Sequence, residues 1–212
     1  VRVRRFLDLP LDQEHQRELD PAAAGECLAD AASRGWIDLP NLDHGVRQFL
    51  GRVGCVRAAL PGLEYPLVDA AFLRAALAQA FRGLWLAREA QQAALLPAFR
   101  SRLAPEQLAW LDELAPASLP WLAGRTLKLT YAPDPEEPEL PPVPEAQVKL
   151  TECFALKEHP RLVEGRVPIR LWLMLPDGRR LGSTTDWPGW RAGEYVRIRS
   201  QLRSKHPGFV WP

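Results

Sequence analysis

The sequence predicts an α+β protein: a helical subdomain followed by a small α+β subdomain of β-α-β-β-α order that contains a β-hairpin. Three observations carry this expectation. From about residue 21 to 118, apolar side chains recur at helical spacing and are punctuated by proline and glycine. In RTLKLTY the period drops to two, with Leu127, Leu129 and Tyr131 alternating against Lys128 and Thr130. In the last third, an alternating strand, a tight turn, a second strand and a basic helix follow one another without a long loop. The expected division is therefore 1–20 as a terminal strand and connector, 21–118 as the helical subdomain and 119–212 as the α+β subdomain.

In VRVRRF, Val1 and Val3 lie on one face and Arg2 and Arg4 on the other, which is strand periodicity at a sheet edge. Its pairing partners are expected outside the chain, DLPLDQE reads as a loop, and the whole reads as a piece of a longer protein. Asp20 followed by Pro21 is a helix start, and the Ala-rich run to Ser33 stops near Gly35. A second helix is expected from about Asn41 to Leu60. Leu42, Val46, Phe49, Leu50, Val53 and Val56 form its stripe, with Arg47, Arg52 and Arg57 largely off it. Gly51 and Gly54 each reduce helicity by about 1 kcal/mol, which points to close packing. They also spell the GXXG of a KH RNA-binding loop, but the apolar stripe runs straight through them. Pro61, Gly62 and Pro66 break the chain before Asp69, which caps a helix with Phe72, Leu73, Ala76, Leu77, Ala80 and Leu84 inward. Further helical pieces fall at about 88–102 and 105–114, and Trp85 and Trp110 are expected in the core.

APDPEEPELPPVPEA carries six prolines between Pro133 and Pro144, five acids and no base, so it is expected to be an exposed extended loop. Glu145 is expected to open a short helix with Ala146, Leu150, Cys153 and Phe154 on one face. The next strand sends Val167, Ile169, Leu171, Leu173 and Leu175 to one side and Arg170, Trp172 and Met174 to the other. Pro176, Asp177 and Gly178 make the turn, where glycine can take a positive φ. Thr185 or Asp186 caps the final helix, with Tyr195, Ile198 and Leu202 inward and Arg197 and Arg203 outward.

Composition narrows the function classes. The chain has 212 residues, 47% hydrophobic and 25% charged, with a net charge of +1, so it is globular and has no global polyelectrolyte character. Only four of its 27 basic residues are lysine, which fits either a GC-rich genome or arginine forks chosen for phosphate. Cys27, Cys55 and Cys153 form no C-x-x-C pair, so a reducing compartment is expected and no disulfide frame. No apolar run reaches the roughly 20 residues of a membrane span, and a cytoplasmic protein with no membrane partner is expected. The sequence holds no G-x-x-x-x-G-K-[ST], DEAH, H-E-x-x-H or G-x-S-x-G motif, and His15, His44, His159 and His206 are scattered. No catalytic residue, metal ligand or cofactor site is therefore expected in this chain.

The positive signal lies between Lys157 and Pro212, where eleven basic side chains face five acidic ones. Such a face binds phosphates in a salt-dependent, sequence-independent way. Arg166, Arg170, Arg179, Arg180, Arg191, Arg197, Arg203 and Lys205 are the candidate phosphate contacts, and Trp187 is a candidate stacking surface. Trp190 and Tyr195 are expected in the core. A solvated arginine surface without a ligand stays open beside this reading. One shared face would favour nucleic acid, whereas scattered and paired arginines would favour protein docking.

LDELAPASLPWLAGRTLKLTY, VKLTECFAL, GRVP, the strand and turn, and the closing VWP resemble, in this order, the C-terminal region of the HrpB family of bacterial DEAH-box ATP-dependent RNA helicases. The resemblance covers about Leu111 to Pro212. The chain departs from the family at Lys205, His206, Pro207, Gly208 and Phe209, where a more basic run is usual, and at Gly182 and Ser183, where bulkier residues are usual. The resemblance implies an accessory helicase module that helps hold RNA or another single-stranded nucleic acid. ATP, Mg and ATP hydrolysis would then belong to motor domains outside this chain, and those domains would be its partners. VRVRRF would be the last strand of an oligonucleotide/oligosaccharide-binding-like domain. The alternative is a docking module that packs on the helicase core without touching RNA.

Overall fold

The computed structural model describes residues 2–6, 9–14, 20–133 and 140–212, the first two stretches by their backbone alone. Arg2–Phe6 (β1) and Leu9–Glu14 (β2) pair antiparallel, with Arg2 opposite Glu14. The segment expected as a loop is thus a strand, and a partner of β1 lies within the chain. Pro10 sits opposite Arg5 where the register shifts, a position that tolerates a missing N–H.

The helices follow their punctuation. Pro21–Ser33 (α1) starts at Asp20, whose Oδ1 accepts the Ala22 N–H at 3.0 Å. His44–Ala59 (α2) comes next, and then Ala70–Ala80 (α3), where the Asp69 carboxylate accepts the Phe72 N–H at 2.8 Å. Ala87–Ala90 (α4), Leu95–Arg100 (α5) and Pro105–Leu114 (α6) complete the helical stretch. Short strands Ser118–Pro120 (β3), Thr126–Lys128 (β4) and Thr130–Ala132 (β5) follow. The acidic proline-rich stretch expected as an exposed loop lies outside the described residues at 134–139. Beyond it come Val143–Lys149 (β6), Leu150–Cys153 (α7), Arg161–Leu162 (β7) and Val167–Pro168 (β8). Arg170–Met174 (β9), Arg180–Thr184 (β10), Trp187–Ala192 (α8) and Glu194–Lys205 (α9) close the chain.

Two compact units interleave along the sequence, one made of residues 1–43 and 69–102, the other of 44–68 and 103–212. In the first, α1 packs on α3 and α3 on α5, around Ala29, Phe72, Ala76, Leu77, Phe81 and Phe99. Gly25 permits the α1–α3 approach, because a Cβ there would stand 2.9 Å from the Ala78 carbonyl oxygen. Asn41 ties its loop to the α4 region by donating to the Ala90 and Ala93 carbonyls, each at 2.8 Å. Trp85 is not a core residue: it is 45% exposed, since the chain turns at Gly83 and directs the segment outward.

The second unit is built on a four-stranded sheet of order β10-β9-β6-β5, with β6 parallel to β9 and the other pairs antiparallel. One face buries Tyr131, Pro144, Ala146, Val148, Leu171 and Leu173. Helix α2 lies against β5, and Gly51 allows it, since a Cβ would fall 2.3 Å from the Tyr131 carbonyl oxygen. The short helix expected from Glu145 is corrected here. Residues 143–149 are a strand whose buried side chains fall at Pro144, Ala146 and Val148, and the helix is only the Leu150–Cys153 turn that follows. Period two along β6 won over the i, i+4 coincidence of Ala146 and Leu150. Trp110, expected in the core, is 43% exposed on α6, whose buried position is Leu111.

Leu175 to Arg179 form the hairpin turn, with Gly178 at φ +82° and the Leu175 N–H donating to the Arg179 carbonyl at 2.8 Å. Asp186 caps α8 by accepting the Gly189 N–H at 3.2 Å. The single final helix expected is two, divided at Gly193. His159 braces this region: its Nδ1 accepts the Trp187 N–H at 3.1 Å and its other nitrogen, carrying the proton, donates to the Ile169 carbonyl at 2.7 Å. Burial, which outweighs the Ile169 bond, holds the imidazole below its usual pKa. The folded state therefore favours neutral His159, so its stabilising contribution is complete above about pH 6.5 and is lost as pH falls through the lowered folded value. Urea midpoints at pH 7.5 and pH 5 should show this loss, and His159→Gln should flatten it.

Candidate functional site

The polar face of the sheet gathers the strongest chemistry in the second unit. Period two in β9 puts Arg170, Trp172 and Met174 on that face. Register then places Glu145 beside Arg170 and Gln147 beside Trp172 on β6. On β10, a register shift between Arg180 and Gly182 sets Arg180 opposite Met174, on the side of Trp172.

Trp172 is half-buried and held in place. Its indole N–H donates to Glu145 Oε2 at 2.9 Å, and Arg170 Nη1 reaches Glu145 Oε1 at 3.1 Å. The Arg180 guanidinium lies 3.9 Å from the centroid of the Trp172 ring, a stacked cation–π contact. Ser183, Thr184 and Asp186 line the same recess of about 820 Å³. An indole fixed through its N–H, with guanidinium groups beside and over it, can stack a flat ring and meet an anion at the same place. Glu145 neutralises part of Arg170, whereas Arg180 has no acidic partner among the described residues.

The other candidates do not share this face. Arg179 is turned onto Asp177 of its own turn, with Nε 2.8 Å from Oδ2, and that contact holds the Asp177 carboxyl below its usual range. Arg179 and Lys205 line a smaller recess with Arg180 between the hairpin and α9. Arg166 lies 4.0 Å from Glu164, and it rims a third recess with Arg170. Arg197 faces Glu194 at 3.8 Å, three residues earlier on α9. Arg203 donates to the Trp211 carbonyl at 3.0 Å and so serves the C-terminal segment. Arg191 lies over the Phe154 ring at 5.6 Å. Trp187 is corrected as a stacking surface: it is 1% exposed, wedged edge-on to Phe154 and stacked on Trp190. Tyr195 is buried in the same aromatic cluster, and Trp190 is partly covered.

Sequence reasoning placed Trp172 on the polar side of its strand but did not select it. The available signal was an aromatic ring between two cationic positions on a face whose other members are polar. Glu145 was missed because its segment read as loop and helix. Nucleophilic chemistry finds no support at the buried thiols, since burial pushes both Cys55 and Cys153 up to about 12. Among the described residues, no three His, Cys, Asp or Glu side chains gather as metal ligands, and no helix is long and apolar enough to cross a membrane.

The family described as ATP-dependent helicase C-terminal, HrpB_C, matches residues 76–212. The ATP-dependent RNA helicase HrpB of Escherichia coli (strain K12) is 27% identical over 180 residues, which are 83% of this chain and 21% of that protein. Two crystal structures of E. coli HrpB, one titled a DExH-box NTPase and the other a DEAH/RHA helicase, resemble the fold with TM-scores of 0.72 and 0.67. Their identities are 23% and 21%, and each match covers 96% of this chain and 25% of the solved chain. The chain thus spans 21% to 25% of the length of these relatives.

Proposed function

Since this chain belongs to the ATP-dependent helicase C-terminal family, HrpB_C, we propose that it is the accessory C-terminal module of an ATP-dependent RNA helicase and holds single-stranded RNA for the motor. ATP and Mg act in motor domains outside this chain, which are its partners in the same protein. The observation that carries the reading is the Trp172 ring, fixed by Glu145 and flanked by Arg170 and Arg180 on one polar sheet face. An unpaired base stacks on the indole as Arg180 swings from the ring to a phosphate. The backbone is held by charge and not by sequence.

Binding of a short single-stranded RNA to the 212-residue chain, followed by anisotropy against salt, tests the proposal. Trp172→Ala is expected to weaken binding about tenfold, the scale of one stacked base. Arg180→Gln is expected to lower the slope of log K against log salt by about one contact. Flat salt dependence, or a Trp172→Ala variant that binds as the parent does, would remove the reading.

Docking on the helicase core without RNA contact is the second reading. It is favoured by the cations engaged internally at Asp177, Glu194 and the Trp211 carbonyl, and by exposed Val196, Phe209 and Val210 beside them. Absence of RNA binding at low salt would leave it standing.

A further inference from the structure

Apart from the sheet face, one recess of the second unit combines cations with an apolar lining. It measures about 310 Å³ and is lined by Leu156, Lys157, Trp187, Pro188, Arg191 and Ala192. Four of these come from α8, whose start is fixed by the Asp186 cap and by proline in its first turn. Arg191 follows Trp187 by four residues, so one helical turn brings its charge above the indole floor. That floor is held by the contacts of Trp187 with Phe154 at 5.5 Å and with Trp190 at 5.6 Å.

Two features mark the recess as a ligand site. Arg191 meets the Phe154 ring but no carboxylate, and Lys157 has no ion-pair partner, among the described residues. Their charge is therefore unbalanced on an apolar lining. The volume stands at the lower end of small-molecule sites, about 300–1,000 Å³, which suits a single nucleotide better than a longer stretch of strand.

An arginine and a lysine with no carboxylate between them select a compact dianion, and the apolar lining selects the flat body attached to it. We propose that this recess binds one nucleoside monophosphate unit, with its phosphate on Lys157 and Arg191 and its base against Leu156 and Pro188. The unit is either a free nucleotide or the phosphorylated end of a strand. The site is separate from the sheet face and shares no lining residue with it.

Calorimetric titration of the 212-residue chain with adenosine monophosphate, adenosine and inorganic phosphate tests it. Adenosine monophosphate should bind with Kd below about 1 mM, and each half of the molecule should bind at least about tenfold more weakly. Arg191→Gln and Lys157→Gln, both at exposed positions, should each weaken binding about tenfold, and Arg191→Lys should recover part of the loss. The indole N–H resonance of Trp187 should shift during the titration. Trp172→Ala separates the two sites, because it should lower RNA binding and leave the nucleotide isotherm in place. A 5′-phosphorylated oligonucleotide that competes with adenosine monophosphate identifies a strand end as the ligand, and failure to compete identifies the free nucleotide. Inorganic phosphate binding as tightly as the nucleotide, an Arg191→Gln variant that titrates as the parent does, or an unmoved Trp187 resonance would each overturn the assignment.

Discussion

Replacing Arg52 by alanine should lower the unfolding free energy by about 1.5–3 kcal/mol, the usual worth of hydrogen bonds from a charged group to buried carbonyls. Arg52 is 9% exposed although it sits on a helix read as having its arginines outside. Its Nη2 donates to the Leu111 carbonyl at 3.0 Å and meets Asp112 Oδ1, while Nε donates to the Ala115 carbonyl. These carbonyls lie at the C-terminal end of α6, where the helix dipole favours a cation and the Ala115 carbonyl has no intrahelical donor. Alanine would leave the buried Ala115 carbonyl without its donor, the Leu111 carbonyl with only the Ala115 N–H, and a cavity under the turn. Lysine supplies the charge but not the fork, so it should recover only part of the loss. Urea denaturation of the three proteins measures the difference. A loss below about 1 kcal/mol would mean that water replaces the guanidinium at little cost.

Trp211→Ala should cost about 3–5 kcal/mol, as truncation of a buried tryptophan generally does. Trp211 is 3% exposed, and its indole donates to the His206 carbonyl at 3.1 Å. The backbone beside it is clasped as well. Arg199 and Arg203 both donate to the Trp211 carbonyl, and the Tyr195 hydroxyl donates to the Pro212 carbonyl at 2.8 Å. The clasp lets the closing Trp-Pro seal one side of α9 and commits one donor of each of two arginines of that helix to the C-terminal segment. Trp211→Phe keeps most of the packing and loses the N–H bond, so it should fall between the parent and alanine. Equal stability of all three would show that the segment is not part of the cooperative unit.

The departures at His206, Gly208 and Phe209 bear on this clasp. His206 and Phe209 both lie against Trp211, with ring centroids 6.2 and 6.4 Å away. Phe209 thus stands beside the terminal tryptophan where the resembled family has histidine, and Gly208 where it has a base.

Features set by a few neighbouring residues were legible in the sequence. Asp20, Asp69 and Asp186 cap the helices they precede, Gly178 takes its positive φ, and β9 alternates as its letters alternate. Each depends on interactions within about four residues, so the local pattern contains the whole cause. The family was legible for a similar reason, since its elements recur in order along one stretch. Proline obscured the strands β2 and β6, because a missing N–H argues against a central strand and says nothing about an edge or the end of a ladder.

The polar site needed the sheet. Trp172 and its flanking arginines lie on two strands brought together by the β9–β10 register, and Glu145 joins them on a third, through the β6–β9 register, from 25 residues away. A side chain's type states what it can bond but not which distant group the fold brings to it. The same reason put Arg52 under α6, Gly51 against Tyr131 and Trp187 in an aromatic core. Period, caps and family order came from the chain alone. The division of the arginines into a sheet face, a C-terminal clasp and a recess came from packing, because only packing decides which charges are left facing solvent.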